Sequence, residues 1–205
     1  METDLPYRRF LRIPAILIPL LLFFVPGIAS GAGNAEDRQT RVRLLDESIV
    51  MTGFGTGHLT EGRYETIFFI WQLAADLNKI IPPLKNHRGR LYAYLEPQIN
   101  PVRAPDEDFE FGIGIGLKYT YPLAERLCVY ILASTGPHYV SVVTVDQANG
   151  FLFSDTVGAG LNIYITKRSA LNIGYRFRHI SNAGLVHPNG GIDSNFATIG
   201  YSILF

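Results

Sequence analysis

The stretch 109-FEFGIGIGLKYTY-121 decides the fold, because its side chains alternate in character with a period of two residues. Its odd-numbered positions are all apolar or aromatic, namely Phe109, Phe111, Ile113, Ile115, Leu117, Tyr119 and Tyr121. The positions between them hold small, polar or charged residues, including Glu110 and Lys118. Alternation of this kind predicts a β-strand, in which successive side chains point to opposite faces of a sheet.

The composition of the two faces distinguishes a membrane strand from a soluble one. A soluble β-sandwich also alternates, but it turns its apolar face inward, so glycines and isolated charges would cover the outside. An outer-membrane barrel has the opposite arrangement: apolar residues face lipid, aromatic residues mark the two interfaces, and small or polar residues fill the lumen. Because aromatic residues stand at both ends of the apolar face of 109–121, the stretch favours the membrane barrel.

Further alternating runs follow Asp46, where we predict eight strands. They lie at about 47–56, 64–74, 90–99, 109–121, 126–139, 152–166, 169–181 and 195–205. Lipid offers no hydrogen-bonding partners, so strands that span a membrane must close into a barrel without a free edge. We therefore predict an all-β fold, an eight-stranded antiparallel transmembrane β-barrel formed by residues 47–205. The run 66-TIFFIWQLAADL-77 is the weakest strand, since its periodicity does not exclude a helix.

An eight-stranded barrel has an interior filled by side chains. We expect this filling to consist of Glu96, Glu110, Lys118, Arg176, Arg178, Tyr92, Tyr94 and Tyr164. Both ends of an even-stranded barrel are expected in the periplasm, which makes 100–108, 140–151 and 182–194 external loops. The connection at 75–89 would be periplasmic and unusually long, and the pattern does not predict its structure.

The first 33 residues are typical of an export signal. Arg8, Arg9 and Arg12 precede an apolar run at 13–29, and small residues follow it. We predict a signal peptide at 1–33 that is cleaved, a periplasmic segment at 34–46, and an outer-membrane location in a Gram-negative bacterium. The alternative is a retained membrane anchor, against which three prolines in the run argue. The terminal Phe205 resembles the signal by which barrels engage the outer-membrane assembly machinery.

Charge and cysteine content exclude several kinds of function. The 205 residues carry 18 basic and 18 acidic side chains, so no bulk charge indicates a nucleic-acid partner. The single cysteine, Cys128, cannot form an intramolecular disulfide, and its apolar surroundings favour an inert thiol. His138 and His187 are expected in loops without further ligands at zinc-like spacing, so we predict neither a metal nor another cofactor. A homodimer is left open.

A polar pair ends the predicted strand 169–181. His179 and Ser181 continue the face occupied by Leu171, Ile173, Tyr175 and Phe177, which would place both side chains toward lipid. Polar groups in such positions are candidates for function. The alternative is a strand that simply emerges among lipid headgroups, where a polar residue costs little.

The sequence around this pair, 177-FRHISNAGLVHPNGGIDSN-195, resembles the active-site segment of the lipid A 3-O-deacylases, the PagL family. The shared features are His-x-Ser-Asn-Ala, a downstream Pro-Asn-x-Gly-Ile, and an acidic residue. The resemblance implies an outer-membrane serine esterase that removes the 3-position hydroxyacyl chain of lipid A. Position by position, it implies Ser181 as nucleophile, His179 as general base, Asp193 as orienting acid, and oxyanion stabilisation by Asn189, Asn182 or backbone N–H groups near Ala183 and Gly184. The family usually has Glu where this chain has Asp193.

General chemistry agrees with these roles, since a neutral imidazole activates a serine hydroxyl and a carboxylate orients the imidazole. Two alternatives remain open. One is a phospholipase or acyltransferase that acts on neighbouring lipids, and the other is a structural or adhesion barrel without enzymatic activity.

Overall fold

The computed structural model describes residues 45–205. The predicted signal peptide at 1–33 and all but the last two residues of the segment 34–46 lie outside the described residues. Eight strands form the fold: β1 (Glu47–Leu59), β2 (Gly62–Asp76), β3 (Arg90–Ala104), β4 (Asp108–Ala124), β5 (Leu127–Val140), β6 (Gly150–Thr166), β7 (Ser169–Ser181) and β8 (Ile192–Leu204). Each pairs with the next in antiparallel orientation, and β1 pairs with β8. The predicted eight-stranded antiparallel barrel is confirmed.

The two faces of the strands have the composition predicted from 109–121. On β4, Ile115 is 62% exposed on the outer wall, whereas Glu110 and Lys118 are fully buried inside. The same alternation of buried and exposed positions runs along β6, β7 and β8. The barrel thus presents mainly apolar side chains outward and keeps the charges of Glu110 and Lys118 inside, which is the arrangement that a lipid environment favours.

Charged side chains inside the barrel are paired with opposite charges. Arg176 lies 2.6 Å from Glu96, and Arg178 lies 2.6 Å from Glu110. Lys118 forms a third buried pair with Glu47. Removing a charge from water costs several kcal/mol, and only a close partner of opposite sign offsets that cost. The charged residues predicted for the interior therefore lie inside the barrel as neutralised pairs.

Both ends of the described chain lie at one end of the barrel, because Glu47 of β1 pairs with Leu204 of β8. We call this the terminal end; it also carries the connection 77–89 and the turns 125–126 and 167–168. The opposite end, called the loop end, carries the connections 60–61, 105–107, 141–149 and 182–191. An apolar cluster fills the interior near the loop end, formed by Leu59, Tyr64, Val102, Val140, Val142, Leu152, Ile180 and Ile192.

The strands extend further toward the loop end than predicted, so the expected loops 100–108, 140–151 and 182–194 are too long. The observed loops are 105–107, 141–149 and 182–191. The loops are shorter because hydrogen-bonded strand pairing continues through polar residues that the alternation pattern assigns to loops. His138 was wrongly expected in a loop, although it falls near the end of the predicted strand 126–139: it belongs to β5, is buried, and its Nε2 lies 3.5 Å from Glu110.

The ambiguous run 66–77 is a strand apart from its last residue. Its alternation is weak because the inner face is apolar as well: Phe68 is fully buried, and its ring stacks on that of Phe196 at 3.9 Å. The long connection after β2 contains two short 3₁₀ turns, Leu77–Lys79 and Pro82–Leu84. In the part of the chain that the structure describes, no helix has the length and hydropathy needed to cross a membrane.

Candidate active site

His179 on β7 and Asp193 on β8 form a pair on the outer wall near the loop end. They are direct cross-strand partners, and Nδ1 of His179 lies 2.6 Å from Oδ1 of Asp193. Both side chains are accessible, with 39% of the histidine and 63% of the aspartate side chain exposed. The prediction that His179 points away from the barrel interior agrees with this position.

Asp193 lies within β8 and not in the loop where we expected it. The strand begins at Ile192, because Ile192 and Ser194 point into the barrel and continue the alternation of buried and exposed positions. Ile192 pairs with Ile180 inside the barrel, and this pairing fixes the next position, where Asp193 meets His179 on the outside. The acid is therefore held by the sheet register.

The contact favours the histidine tautomer that suits a general base. When Nδ1 donates its hydrogen to the carboxylate, Nε2 is left unprotonated and able to accept a proton. The carboxylate of Asp193 can only accept a hydrogen bond when it is ionised, and it therefore assigns the hydrogen to Nδ1. His179 thus has one nitrogen occupied by Asp193 and the other free for chemistry.

Ser181 is the last residue of β7 and shares the face of His179. Two residues apart on a strand, their Cα atoms are roughly 6–7 Å from each other. The Ser181 hydroxyl has no hydrogen-bond partner within residues 45–205, so it is not bonded to His179 in this state. Its cross-strand neighbour on β6 is Phe153, whose side chain is also on the outer wall. The three predicted triad residues therefore occupy one patch of the outer wall.

The loop 182–191 is organised by two asparagines. Asn182 is buried, its backbone N–H donates to Oδ1 of Asn189 at 2.8 Å, and its own Oδ1 accepts the N–H of Gly184 at 3.0 Å. The N–H groups of Asn182 and Gly184 are thus already used inside the protein. Within the described residues, the backbone N–H of Ala183 and the Nδ2 group of Asn189 have no partner and could donate to a substrate oxygen.

Gly191 is a site residue whose role the sequence analysis missed. It has a left-handed backbone with φ of 81°, which glycine adopts without strain. A side chain at this position would clash with Cε1 of His179, because the glycine backbone packs directly against the imidazole. Gly191 therefore limits where the ring can lie. In the sequence, the only signal of this role was the position of Gly191 directly after Gly190 and two residues before Asp193.

Asp155 is a second residue that sequence reasoning missed. It lies on β6 as the cross-strand partner of His179 on the side opposite Asp193, and it is exposed on the outer wall. His179 consequently has a carboxylate on each neighbouring strand, and only Asp193 is hydrogen-bonded to it. An acidic residue among the outward positions of 152–166 was the signal that could have identified Asp155.

Within residues 45–205, no group of three or more His, Cys, Asp or Glu side chains is arranged to bind a metal ion. The fold and the site together define a membrane β-barrel that carries a histidine–carboxylate pair and a free serine on its lipid-facing wall. A family model described as lipid A 3-O-deacylase (PagL) matches residues 77–202, well over half of the chain. The chain belongs to this family, whose members are outer-membrane hydrolases that act on lipid A.

Solved structures place the fold among outer-membrane proteins. The crystal structure of the outer-membrane enzyme PagL is 22% identical with a TM-score of 0.54, covering 76% of this chain and 99% of that one. Neisserial surface protein A is 16% identical with a TM-score of 0.56, covering 78% of this chain and 96% of that one. No curated protein sequence matches the chain. The predicted family, fold and outer-membrane location are confirmed.

Proposed function

We propose that this protein is a serine esterase that hydrolyses the ester-linked 3-hydroxyacyl chain at the 3-position of lipid A. Ser181 is the nucleophile, His179 the general base and Asp193 the orienting acid. The observation that supports this most directly is the 2.6 Å contact between His179 and Asp193 on the outer wall, with Ser181 on the same face. These positions suit a substrate that stays within the bilayer.

The location of the patch supports a lipid substrate. Apart from Asp155, the neighbouring outward positions on β6 and β7 are apolar or aromatic, including Phe153, Phe177 and Tyr175. If the terminal end faces the periplasm, the loop end lies at the outer leaflet, where lipid A resides. An ester of lipid A could then reach Ser181 by lateral movement, with its acyl chain still in contact with apolar side chains.

The proposed reaction proceeds in two steps. Oγ of Ser181 attacks the ester carbonyl carbon while Nε2 of His179 takes the hydroxyl proton, and Asp193 steadies the resulting imidazolium. The tetrahedral intermediate collapses, the sugar oxygen leaves with that proton as an alcohol, and the acyl chain remains on Ser181. Water, deprotonated by His179, then releases the 3-hydroxy fatty acid and restores the serine.

Oxyanion stabilisation falls to groups that are not already hydrogen-bonded. We assign it to the backbone N–H of Ala183 and Nδ2 of Asn189, since the N–H groups of Asn182 and Gly184 have partners within the loop. Asn182 instead shapes the loop. One such donor is worth about 2.7–4 kcal/mol of transition-state stabilisation by analogy with a serine protease. Hydrogen bonds between the nucleophile and its base are often absent before substrate binds, which is consistent with the unbonded Ser181.

Insertion into the outer membrane is part of the same proposal. Phe205 is 50% exposed and its N–H donates to the backbone of Asp46 at the terminal end, so the aromatic side chain stays accessible. We assign to it the recognition by the outer-membrane assembly machinery. A homodimer stays an open prediction, which sedimentation of the purified protein in detergent would test.

The decisive experiment supplies the purified barrel with lipid A and with phospholipid vesicles in separate incubations. The proposal predicts that lipid A loses the mass of one 3-hydroxyacyl chain, released as a free fatty acid, and that phospholipids stay intact. Loss of acyl chains from phospholipid alone would instead indicate a phospholipase. Intact lipids in both incubations would indicate a barrel without this enzymatic activity.

A further inference from the structure

Part of the β5–β6 loop bridges to the active-site loop, and we propose that Gln147 in it is a positioning residue for His179. The bridge consists of residues 144–148, which we call the strap. Gln147 holds the backbone of Gly191, and Gly191 in turn packs against the imidazole. The inference rests on the proposed function only in so far as His179 is the general base.

Gln147 is built into the structure as a fixed side chain. It is 1% exposed, and its Oε1 accepts the N–H of Gly191 at 3.1 Å. Its Nε2 donates to the carbonyl of Ala148, and its backbone N–H donates to Oγ1 of Thr144 at 2.9 Å. A buried side chain with both ends of its amide engaged has little freedom, so it defines the position of Gly191.

Two more contacts fasten the strap along the active-site loop. The N–H of Gly190 donates to the carbonyl of Asp146 at 2.7 Å, and the N–H of Ala148 donates to the carbonyl of Pro188 at 2.8 Å. Gln147 itself forms an isolated β-bridge with Asn189, one of the proposed oxyanion residues. The strap therefore runs beside residues 188–191 like a short extra strand.

The strap is anchored at its far side to the β1–β2 turn. The carboxylate of Asp146 accepts the backbone N–H of Thr60 at 2.6 Å and its hydroxyl at 2.7 Å, and Glu61 accepts the N–H of Val145 at 2.8 Å. Hydrogen bonds thus join three connections at the loop end, namely 60–61, 141–149 and 182–191.

The orientation of the His179 ring consequently depends on two contacts. Asp193 fixes Nδ1 through a hydrogen bond, and Gly191 blocks the side on which Cε1 lies. An imidazole held by one hydrogen bond can still tilt, and a displacement of about 1 Å in a catalytic group can cost about 10²-fold in rate. Without Gln147, the Gly191 backbone loses the partner that keeps it against the ring.

The test uses the full chain purified as a folded barrel with ¹³C in the Cε1 position of its five histidines. Gln147→Met keeps the side-chain length and removes the acceptor. Val143→Ala, at an exposed position of the same loop, is the matched control. His179→Ala identifies the His179 signal by its disappearance. Should Gln147→Met fail to fold, Gln147→Asn keeps an amide but falls one methylene short of Gly191.

We expect the Cε1 signal of His179 to shift or broaden in Gln147→Met and to stay unchanged in Val143→Ala. With lipid A as substrate, kcat should fall up to about 10²-fold with KM within about twofold, since the ring is misplaced and the lipid surface is untouched. A folded Gln147→Met protein with a wild-type His179 signal would overturn the inference. If lipid A is not hydrolysed at all, the proposed function fails, and the spectra still decide the role of Gln147.

Discussion

Nδ1 of His179 lies 2.6 Å from Oδ1 of Asp193 because the two residues are direct cross-strand partners on β7 and β8. Direct partners in an antiparallel sheet have Cα atoms about 4.5–5.5 Å apart, so a short carboxylate suffices to reach the ring. The proposed role of orienting acid therefore does not require the longer side chain of Glu, which the resemblance to the PagL family leads us to expect at this position. The acid is positioned by backbone pairing that the closed barrel cannot easily change.

Replacing Asp193 by Asn should leave the barrel folded and reduce kcat severely, by about 10⁴-fold if the precedent of serine proteases holds. The amide removes the charge that stabilises the imidazolium and permits the wrong tautomer. The matched control is Asp155→Asn on the other side of His179, for which we expect less than about a tenfold change, because Asp155 is not bonded to the ring. Steady-state kinetics on lipid A measure kcat of both variants. A larger loss of kcat in Asp155→Asn than in Asp193→Asn would assign the acid role to Asp155.

Ser181→Ala should insert normally into the outer membrane and leave the lipid A of an expressing Gram-negative host fully acylated, because the nucleophile is missing. Mass spectra of whole-cell lipid A provide the measurement. Tyr175→Phe is the control: it removes a hydroxyl from the same face of β7, one that bonds only to Asn195, and activity should persist. A deacylating Ser181→Ala protein would refute the nucleophile.

Gly191→Ala should abolish most activity while the barrel remains folded. The new methyl group is strained at a φ of 81° and would displace the His179 ring from Asp193. Gly150→Ala is the matched control, since Gly150 also has a positive φ but faces open space. Lipid A turnover and the heat-modifiable gel migration of the two variants separate catalysis from folding. Equal activities of the two variants would contradict the packing argument.

Arg178→Met should destabilise the barrel by about 3–5 kcal/mol, since it leaves Glu110 buried without the cation that lies 2.6 Å away. Removing the exposed partner of an outer pair, Arg63→Ala, should cost less than about 1 kcal/mol, because Arg63 is 72% exposed beside Glu65. Urea unfolding in lipid vesicles measures both. Equal effects would mean that the interior pair does not stabilise the barrel.

The contact between Thr60 and Asp146 should weaken only in acid. The hydroxyl and the backbone N–H of Thr60 hold the pKa of Asp146 below its ordinary value. Because the pKa of Asp146 is lowered in the folded protein, the contact stabilises the loops fully at pH values above the ordinary pKa of Asp, about 3.9. This stabilisation is lost as the pH falls through the lowered pKa.

Hydrogen exchange at the Thr60 amide measures this contact. Its protection factor should be constant from about pH 5 to pH 8 and should fall below about pH 4. Asp146→Asn should reduce the protection between about pH 5 and pH 8, where the wild-type carboxylate is ionised. Asp106→Asn, an exposed acid in the loop 105–107 of the same barrel end, should leave it unchanged. Full protection of Thr60 in Asp146→Asn would contradict the assigned contact.

The regular part of the fold could be predicted because lipid imposes a simple rule on each strand. Every second residue must be apolar, and 109–121 follows this rule without exception on its odd positions. The rule fails where the interior is also apolar, as around Phe68, and where strand pairing continues into polar residues such as Asp193. Local pattern carries no information on how far pairing extends in those places.

The residues of the candidate site were proposed from a short motif, which gave His179, Ser181 and Asp193. The motif did not show that Asp193 lies on a strand or that His179 has Asp155 on its other side. Both facts depend on the register between strands. The resemblance suggested several oxyanion donors. The number of candidates became smaller only when the structure showed that the backbone N–H groups of Asn182 and Gly184 already have hydrogen-bond partners in the loop.

The sequence by itself determined that eight strands of alternating character would close into a membrane barrel, and that a histidine and a serine would point outward from one of them. Only the tertiary structure decided that Asp193 meets His179, that Gly191 packs against the ring, and that Gln147 holds Gly191 from a different hairpin. The physical reason is the separation along the chain of the residues that determine each feature. Alternation is a property of neighbouring residues, whereas these contacts join segments whose proximity arises from closing the whole ring of strands.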